Sequence, residues 1–232
     1  MISNRFFDHH SSRPLDQPAS HLDNRFQTGV KLLVVVEGQH DVTFLRGISR
    51  ILHADDATMP DLGELDRAGA IVMLPVGGGD ILSWATRTAA LGLPEFQLFD
   101  REVPPATARR QKAAVIVNGR PNCRACLTQK RALENYLHPR AVQEVSSLDL
   151  VFDDHDDVAD LVARLCFERQ DHEVAWKELP SRARKRFRET AKRWLNRQAV
   201  NRMTPALLDE RDPQGEVREW LQAISRLAGR AA

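Results

Sequence analysis

Apolar residues in this chain come in short unbroken runs set between stretches of helical spacing. Leu32 to Val36 is such a run, mostly β-branched, and it predicts a strand covered on both faces. Residues 70–76 (AIVMLPV), 96–99 and 113–117 predict three further strands. Between them, Val42, Leu45, Ile48, Ile51 and Leu52 recur at helical spacing from His40 onward, and Ile81, Leu82, Trp84, Ala85 and Ala89 do so after Asp80. The stretch 54–67, with Pro60 and several acids, reads as a loop, and 129–137 as a short helix stopped by Pro139. Beyond Pro139, segments 158–167, 182–200 and 216–227 are amphipathic, with Trp176, Trp194 and Trp220 expected in the seams between helices and sheet. Strands alternating with helices predict an α/β fold, Rossmann-like in plan: a central, mainly parallel sheet flanked by helices, followed by a C-terminal helical extension. The chain then divides into an irregular lead-in over 1–28, an α/β domain over 29–140 and the extension over 141–232.

Composition narrows this only a little. With 42% hydrophobic and 28% charged residues, the 232-residue chain has the make-up of a globular protein. No apolar run reaches the ~18 residues that span a bilayer, and the N-terminus lacks the apolar core of a signal peptide, so a cytoplasmic protein without membrane contact is expected. Three cysteines fit a reducing compartment. Cys123 and Cys126 make a CxxC, but no second pair and no histidines at finger spacing accompany it, which argues against structural zinc. Cys166, in a helical stretch, is expected in the core. His9 and His10 read as part of an irregular tail and not as a metal site.

Acids recur where strands end. Glu37 follows the first strand and Asp41 falls in the first turn of the helix after it. Asp100 and Glu102 follow the third strand, where extended residues alternate and would send both to one side and Arg101 to the other. Glu134 stands beyond the fourth. In an open parallel sheet the carboxyl ends of the strands face the ligand crevice. Carboxylates gathered there repel one another unless a cation neutralises them, and a hard divalent ion such as Mg²⁺ or Mn²⁺ suits all-oxygen donors. Plainer readings exist: Asp41 suits a helix cap, and Lys130 and Glu134, four apart on the expected short helix, would form a surface ion pair. Gly77, Gly78 and Gly79 before a helix could bring backbone N–H groups to a phosphate, although neither GxGxxG nor GxxxxGK[ST] occurs.

In their order along the chain, VEGQHDVTFL, PVGGGD and LFDRE resemble the motifs of the Toprim domain of topoisomerases, primases and nucleases. The downstream RALENYL is similar to a segment of nucleases of the overcoming-lysogenization-defect (OLD) type, and the resemblance covers residues 29–139. It departs from the family in two respects. DRE replaces DxD, lengthening one arm by a methylene; and the ATPase domain that commonly precedes the Toprim part in OLD-type proteins has no P-loop here to represent it. Tyr136, inside LENYL, is expected to pack and not to act as a nucleophile. The resemblance implies a Toprim-like domain over 29–140 that cleaves or nicks phosphodiester bonds as an endonuclease with two Mg²⁺ or Mn²⁺ ions. Glu37, Asp100 and Glu102 would hold one ion and Asp41 and Glu134 the other, while Lys130 or Arg131 would neutralise transition-state charge; Glu37, Asp100 and Lys130 form the expected catalytic set. The alternatives are a Toprim fold kept as a non-catalytic nucleic-acid or partner-binding subunit and, behind it, primase-like nucleotidyl transfer, for which no zinc-binding domain of the bacterial primase kind is present. A separate ATPase or helicase would be the protein partner.

The net charge of +1 conceals a split. Asp153, Asp154, Asp156, Asp157 and Asp160 crowd together, whereas segment 182–202 sets nine cations against the single acid Glu189. Nucleic acid, DNA first, is the expected partner, gripped by Arg131, Arg184, Lys185, Arg188 and Arg193 through its backbone. The same helix could instead pair internally with the acidic cluster. Oligomeric state has no signature in the sequence.

Overall fold

Leu32–Val36 forms β1, the strand on which the sheet is built, and all five of its side chains are buried. β1 pairs in parallel with β2 (Ile71–Pro75) on one side and β3 (Glu95–Phe99) on the other, and β3 pairs in parallel with β4 (Cys123–Leu127), giving the order β2-β1-β3-β4. Val36 lies opposite both Pro75 and Leu98, so the central strands end level and share one carboxyl edge. The computed structural model describes residues 29–77, 79–170 and 173–230; the expected lead-in over 1–28, His9 and His10 within it, and Gly78 lie outside them.

The helices are α1 (Gln39–Asp55), α2 (Leu62–Arg67), α3 (Ile81–Arg87), α4 (Ala106–Asn118), α5 (Pro139–Ser146), α6 (Val158–Glu168), α7 (Ser181–Trp194), α8 (Pro205–Arg211) and α9 (Glu216–Arg230). Helix α7 runs on through a π-helical turn, Leu195–Ala199, and a 3₁₀ turn, Val200–Arg202. A parallel sheet flanked by helices, with a helical C-terminal part, is the α/β plan that the sequence predicts. No described helix is long and apolar enough to cross a membrane.

Strand alternation divides the core into layers. Leu32, Val34 and Val36 pack with Phe44, Ile48 and Leu52 of α1 and with Val142, Leu195, Val217, Leu221 and Ile224 from the helices after residue 140. Leu33 and Val35 face the opposite layer with Val76 and Trp84. Trp220 meets Tyr136 edge-on at 5.2 Å, Trp176 lies 5.6 Å from Phe167, and Trp194 is half-buried against the main core. The Tyr136 hydroxyl hydrogen-bonds to Glu216, whose carboxylate also accepts from Gln129 N–H at 3.0 Å, so α9 is pinned beneath the loop after β4.

Four local expectations are corrected. Residues 113–117 belong to α4 and not to a strand: Ala113, Ala114 and Val117 are buried while Val115 and Ile116 are exposed, a helical period that a five-residue apolar run conceals. The fourth strand is β4, an edge strand whose half-buried CRACL sequence gives little alternation to read. Part of the expected loop 54–67 is α2, started by Asp61, whose carboxylate accepts from Gly63 and Glu64 N–H groups. Residues 129–137 contain only the 3₁₀ turn Leu133–Tyr136, so Lys130 and Glu134 are not helical neighbours. Cys166 is exposed, and Cys123 and Cys126, three apart on β4, pack into different layers.

A buried ion pair ties β3 to the end of α4. Glu95 is fully buried, accepts from Arg120 Nη1 at 2.8 Å and Nη2 at 2.9 Å, and is joined by Thr88 Oγ1 at 2.8 Å. Removing the guanidinium strands a buried charge. Arg120→Ala should therefore cost about 3–5 kcal/mol in chemical denaturation. Arg124→Ala, which breaks the exposed Arg124–Glu219 pair, should cost under about 1 kcal/mol. Equal losses in the two variants would contradict this assignment.

Candidate acidic site at the carboxyl edge of the sheet

Glu37 leaves the sheet where β1 ends, and α1 begins two residues later. Gly38 caps α1 in an extended conformation (φ −147°) open to any residue, so no turn there demands glycine. Its N–H donates to Asp41 Oδ2 at 2.8 Å, so Asp41 caps the helix with one oxygen. Gly77 does need glycine, at φ +81°, and its N–H donates to the Glu37 carbonyl at 2.8 Å. Gly79 lines a neighbouring cleft with Arg109 and Arg110.

Asp100 follows β3 directly. Its N–H donates to Glu37 Oε1 at 3.0 Å, and its Oδ1 accepts from Leu133 N–H at 3.2 Å, which joins β1, β3 and the 3₁₀ turn at one point. Strand geometry does not continue past Phe99, so Asp100 and Glu102 are not brought together by extended alternation. Glu102 instead sits at φ +53°, a left-handed conformation rare for a side chain of its size, held by its N–H on the Arg131 carbonyl at 2.9 Å. Even so, Glu37, Asp41, Asp100 and Glu102 line one open cleft of about 380 Å³, which Glu189 and Lys192 of α7 border.

The charges in this cleft are unevenly matched. Arg110 on α4 grips Glu37 with two hydrogen bonds, Nε to Oε1 at 2.7 Å and Nη2 to Oε2 at 2.6 Å. Burial lowers the Arg110 basicity, and its hydrogen bonds to Glu37 more than offset this. Glu134 accepts from Asn196 Nδ2 at 2.7 Å and lies 3.9 Å from Lys192 Nζ. Glu102 is 3.6 Å from Arg131. Asp41 and Asp100 accept only backbone N–H groups, with no ion pair to either among the described residues. Burial, then the Glu134 charge, pushes Asp41 up to about 7. Burial, then the Asp41, Glu37 and Glu134 charges, holds Asp100 well above the usual carboxylate range. Lys192 responds in the opposite sense: Glu134 first, against the effect of burial, and then Asp100, Asp41 and Glu102 keep its ammonium charged beyond its usual range.

The donor chemistry fits a hard divalent cation, since all five acids offer oxygen and the two least neutralised face the cleft. Among the described residues no three His, Cys, Asp or Glu side chains are gathered tightly enough to hold an ion as they stand. The side chains show why: Glu37, Glu102 and Glu134 each answer a cation or amide of the chain itself.

Lys130 lies elsewhere. Its ammonium pairs with Asp154 at 2.5 Å and sits over the Tyr136 ring, outside the acidic cleft. Arg131 pairs with Asp157 at 3.1 Å as well as with Glu102. Arg188 pairs with Asp157 and Asp160 at 2.5 and 3.6 Å, so part of α7 answers the acidic cluster. Arg184 and Lys185 line a shallow cleft with Asp160, and Arg193 is exposed. The sequence reading missed Arg110, Lys192 and Asn196. A signal for the last two exists: Arg188, Lys192 and Asn196 repeat every four residues beside the apolar stripe Ala191, Leu195 and Ala199.

The raised Asp41 value fixes a pH dependence. Asp41 loses its proton near 4 unfolded and at about 7 folded, so between these values the folded state holds more protons and stability falls as pH rises. Metal-free protein should melt lower at about pH 8 than at about pH 5, and Asp41→Asn should flatten that decline. A wild-type melting temperature that rises over this range, unaffected by the substitution, would contradict the assignment.

No family model and no curated protein matches the chain. Among solved structures it is similar to the C-terminal region of the Xanthomonas campestris pv. campestris OLD protein, in iodine-phased and platinum-phased forms, each at 13% identity and TM-score 0.49, covering 86% of this chain and 96% and 94% of those chains. The C-terminal region of the Burkholderia pseudomallei OLD protein is similar at 14% identity and TM-score 0.35, over 86% of this chain and 87% of that one.

Proposed function

We propose that this chain is a metal-dependent nuclease of the Toprim class that hydrolyses phosphodiester bonds at the acidic edge, with Mg²⁺ or Mn²⁺ as cofactor and nucleic acid, DNA first, as substrate. The observation that supports this best is the pair Asp41 and Asp100, buried neighbours that line a cleft and have only backbone donors. Such a pair is relieved by a proton or by a cation. A bound Mg²⁺ or Mn²⁺ would polarise the phosphate and lower the pKa of water.

The chain's own groups supply the rest. Asp41 and Asp100 are the oxygen donors, joined by the neighbouring Glu37 or Glu134. Arg110 fixes the Glu37 carboxylate against the Asp100 N–H and so sets the spacing between the ends of β1 and β3. Lys192, placed among the carboxylates, is positioned to neutralise charge that builds on a phosphate oxygen, the role that sequence reasoning gave to Lys130 or Arg131. A second reading, a non-catalytic binding subunit, is favoured by the Arg110–Glu37 grip, which satisfies Glu37 without an ion.

Plasmid and single-stranded DNA incubated with Mg²⁺ or Mn²⁺ separate the two. Cleavage by wild type is expected, reduced roughly 100- to 1,000-fold in Lys192→Ala and abolished in Asp100→Asn. Mn²⁺ should raise the melting temperature of wild type and do so less in Glu37→Gln and Asp100→Asn, because binding confined to the folded state stabilises it. DNA binding without cleavage, with equal Mn²⁺ shifts in all three proteins, would favour the binding subunit.

A further inference from the structure

On the far side of Asn196 from the acidic site lies a cleft of about 370 Å³ between α1, α2 and the π-helical turn. Four arginines line it, Arg46, Arg50, Arg67 and Arg197, against the single carboxylate Asp61, which is spent on capping α2. Arg46 is paired with Asp66, and Arg67 approaches Glu64 only to 3.8 Å at exposed ends. Arg50 donates to the neutral amide of Asn201 at 2.9 Å, and neither Arg50 nor Arg197 has a carboxylate partner among the described residues. On α7, Arg188 and Lys192 are committed to Asp157, Asp160 and Glu134.

This cleft is built into the same elements as the acidic site. Thr43, Arg46, Gly47 and Arg50 recur on one face of α1, whose first turn carries Asp41. A Cβ at Gly47 would overlap the Val200 side chain, so α1 lies directly against the helical stretch that bears Arg197. That stretch includes a π-helical turn, a rare geometry that is frequent at functional sites. Asn196 borders this cleft and donates to Glu134, which lies 3.9 Å from Lys192 at the border of the acidic cleft. Arg50 stands nine residues beyond Asp41 on α1, about 13 Å along the axis at ~1.5 Å per residue and on the opposite face of the helix, so a strand in this cleft reaches the acidic site round the N-terminal end of α1. One strand of a duplex covers that distance in about four nucleotides.

We infer that this basic cleft is the track that carries the nucleic-acid backbone to the acidic site, with Arg50 and Arg197 on phosphates. The inference rests on the nuclease reading for the identity of its polyanion. Contacts of this kind position a strand and do not read its sequence.

Fluorescence anisotropy with a labelled DNA oligonucleotide in EDTA, over a range of salt, tests it in the absence of cleavage. Arg50→Ala with Arg197→Ala should bind on the order of tenfold more weakly at low salt, with the slope of log K against log salt smaller by roughly 1.4 to 1.8 for two lost contacts. Arg124→Ala with Arg218→Ala, two cations paired with Glu219 and Asp209 outside both clefts, should keep the wild-type slope. Melting temperatures check that each variant is folded, and Arg50→Gln with Arg197→Gln, which retains hydrogen-bonding side chains, should show the same loss of slope. If the cleft pair keeps wild-type affinity and slope, or the Arg124 and Arg218 pair loses as much slope, the inference is overturned. The nuclease reading is judged separately, by Mn²⁺-dependent turnover of bis(p-nitrophenyl) phosphate by wild type against Glu37→Gln, a measurement that needs no DNA contact.

Discussion

Burial of the Asp41 and Asp100 carboxyls, among the charges of Glu37 and Glu134, sets the electrostatics of the acidic edge. Each aspartate lies at the carboxyl edge of the sheet, and each receives only a backbone N–H, from Gly38 and from Leu133. Charge of one sign in a poorly solvated cleft must be lowered by protons, by the chain's own cations or by an ion from solution. All three routes have counterparts here. Asp41 holds its proton up to about 7, Lys192 stands among the acids with its ammonium reinforced by them, and the donor set suits a divalent cation.

The sheet makes this unavoidable and the later helices make it tolerable. Because β1 is buried on every side, its next residue, Glu37, can emerge only at the strand's end, beside the end of β3 and Asp100. Arg110 of α4 then meets Glu37 from one side, while Lys192 and Asn196 of α7 and its π-helical continuation meet Glu134 from the other. Residues after 140 thus contribute both to the main core and to the wall of the site.

Much of this was legible in the sequence, and the limits have physical causes. A β-branched run ending in Glu-Gly and followed by helical spacing announces β1, α1 and the Glu37 and Asp41 positions, because burial and periodicity are local properties. The run at 113–117 misleads because five apolar residues satisfy a strand as well as one and a half turns of helix, and only the exposure of Val115 and Ile116 distinguishes them. Lys130 and Lys192 could not be told apart as partners of the acids, since sequence proximity favours Lys130 while the packing of the π-helical turn after α7 against α1 delivers Lys192 to Glu134. The grip of Arg110 on Glu37, 73 residues away in the chain, has no local signal at all.

On the proposed nuclease reading, Asp41 and Asp100 would bind a divalent cation that the neighbouring acids help to hold. Diffraction data collected at the manganese absorption edge from crystals soaked in Mn²⁺ test it directly. The account predicts an anomalous peak in contact with the Asp41 and Asp100 carboxylates, with the Glu37 or Glu134 carboxylate turned toward it. Crystals whose manganese peaks all lie elsewhere, with Lys192 still seated among the carboxylates, would contradict it.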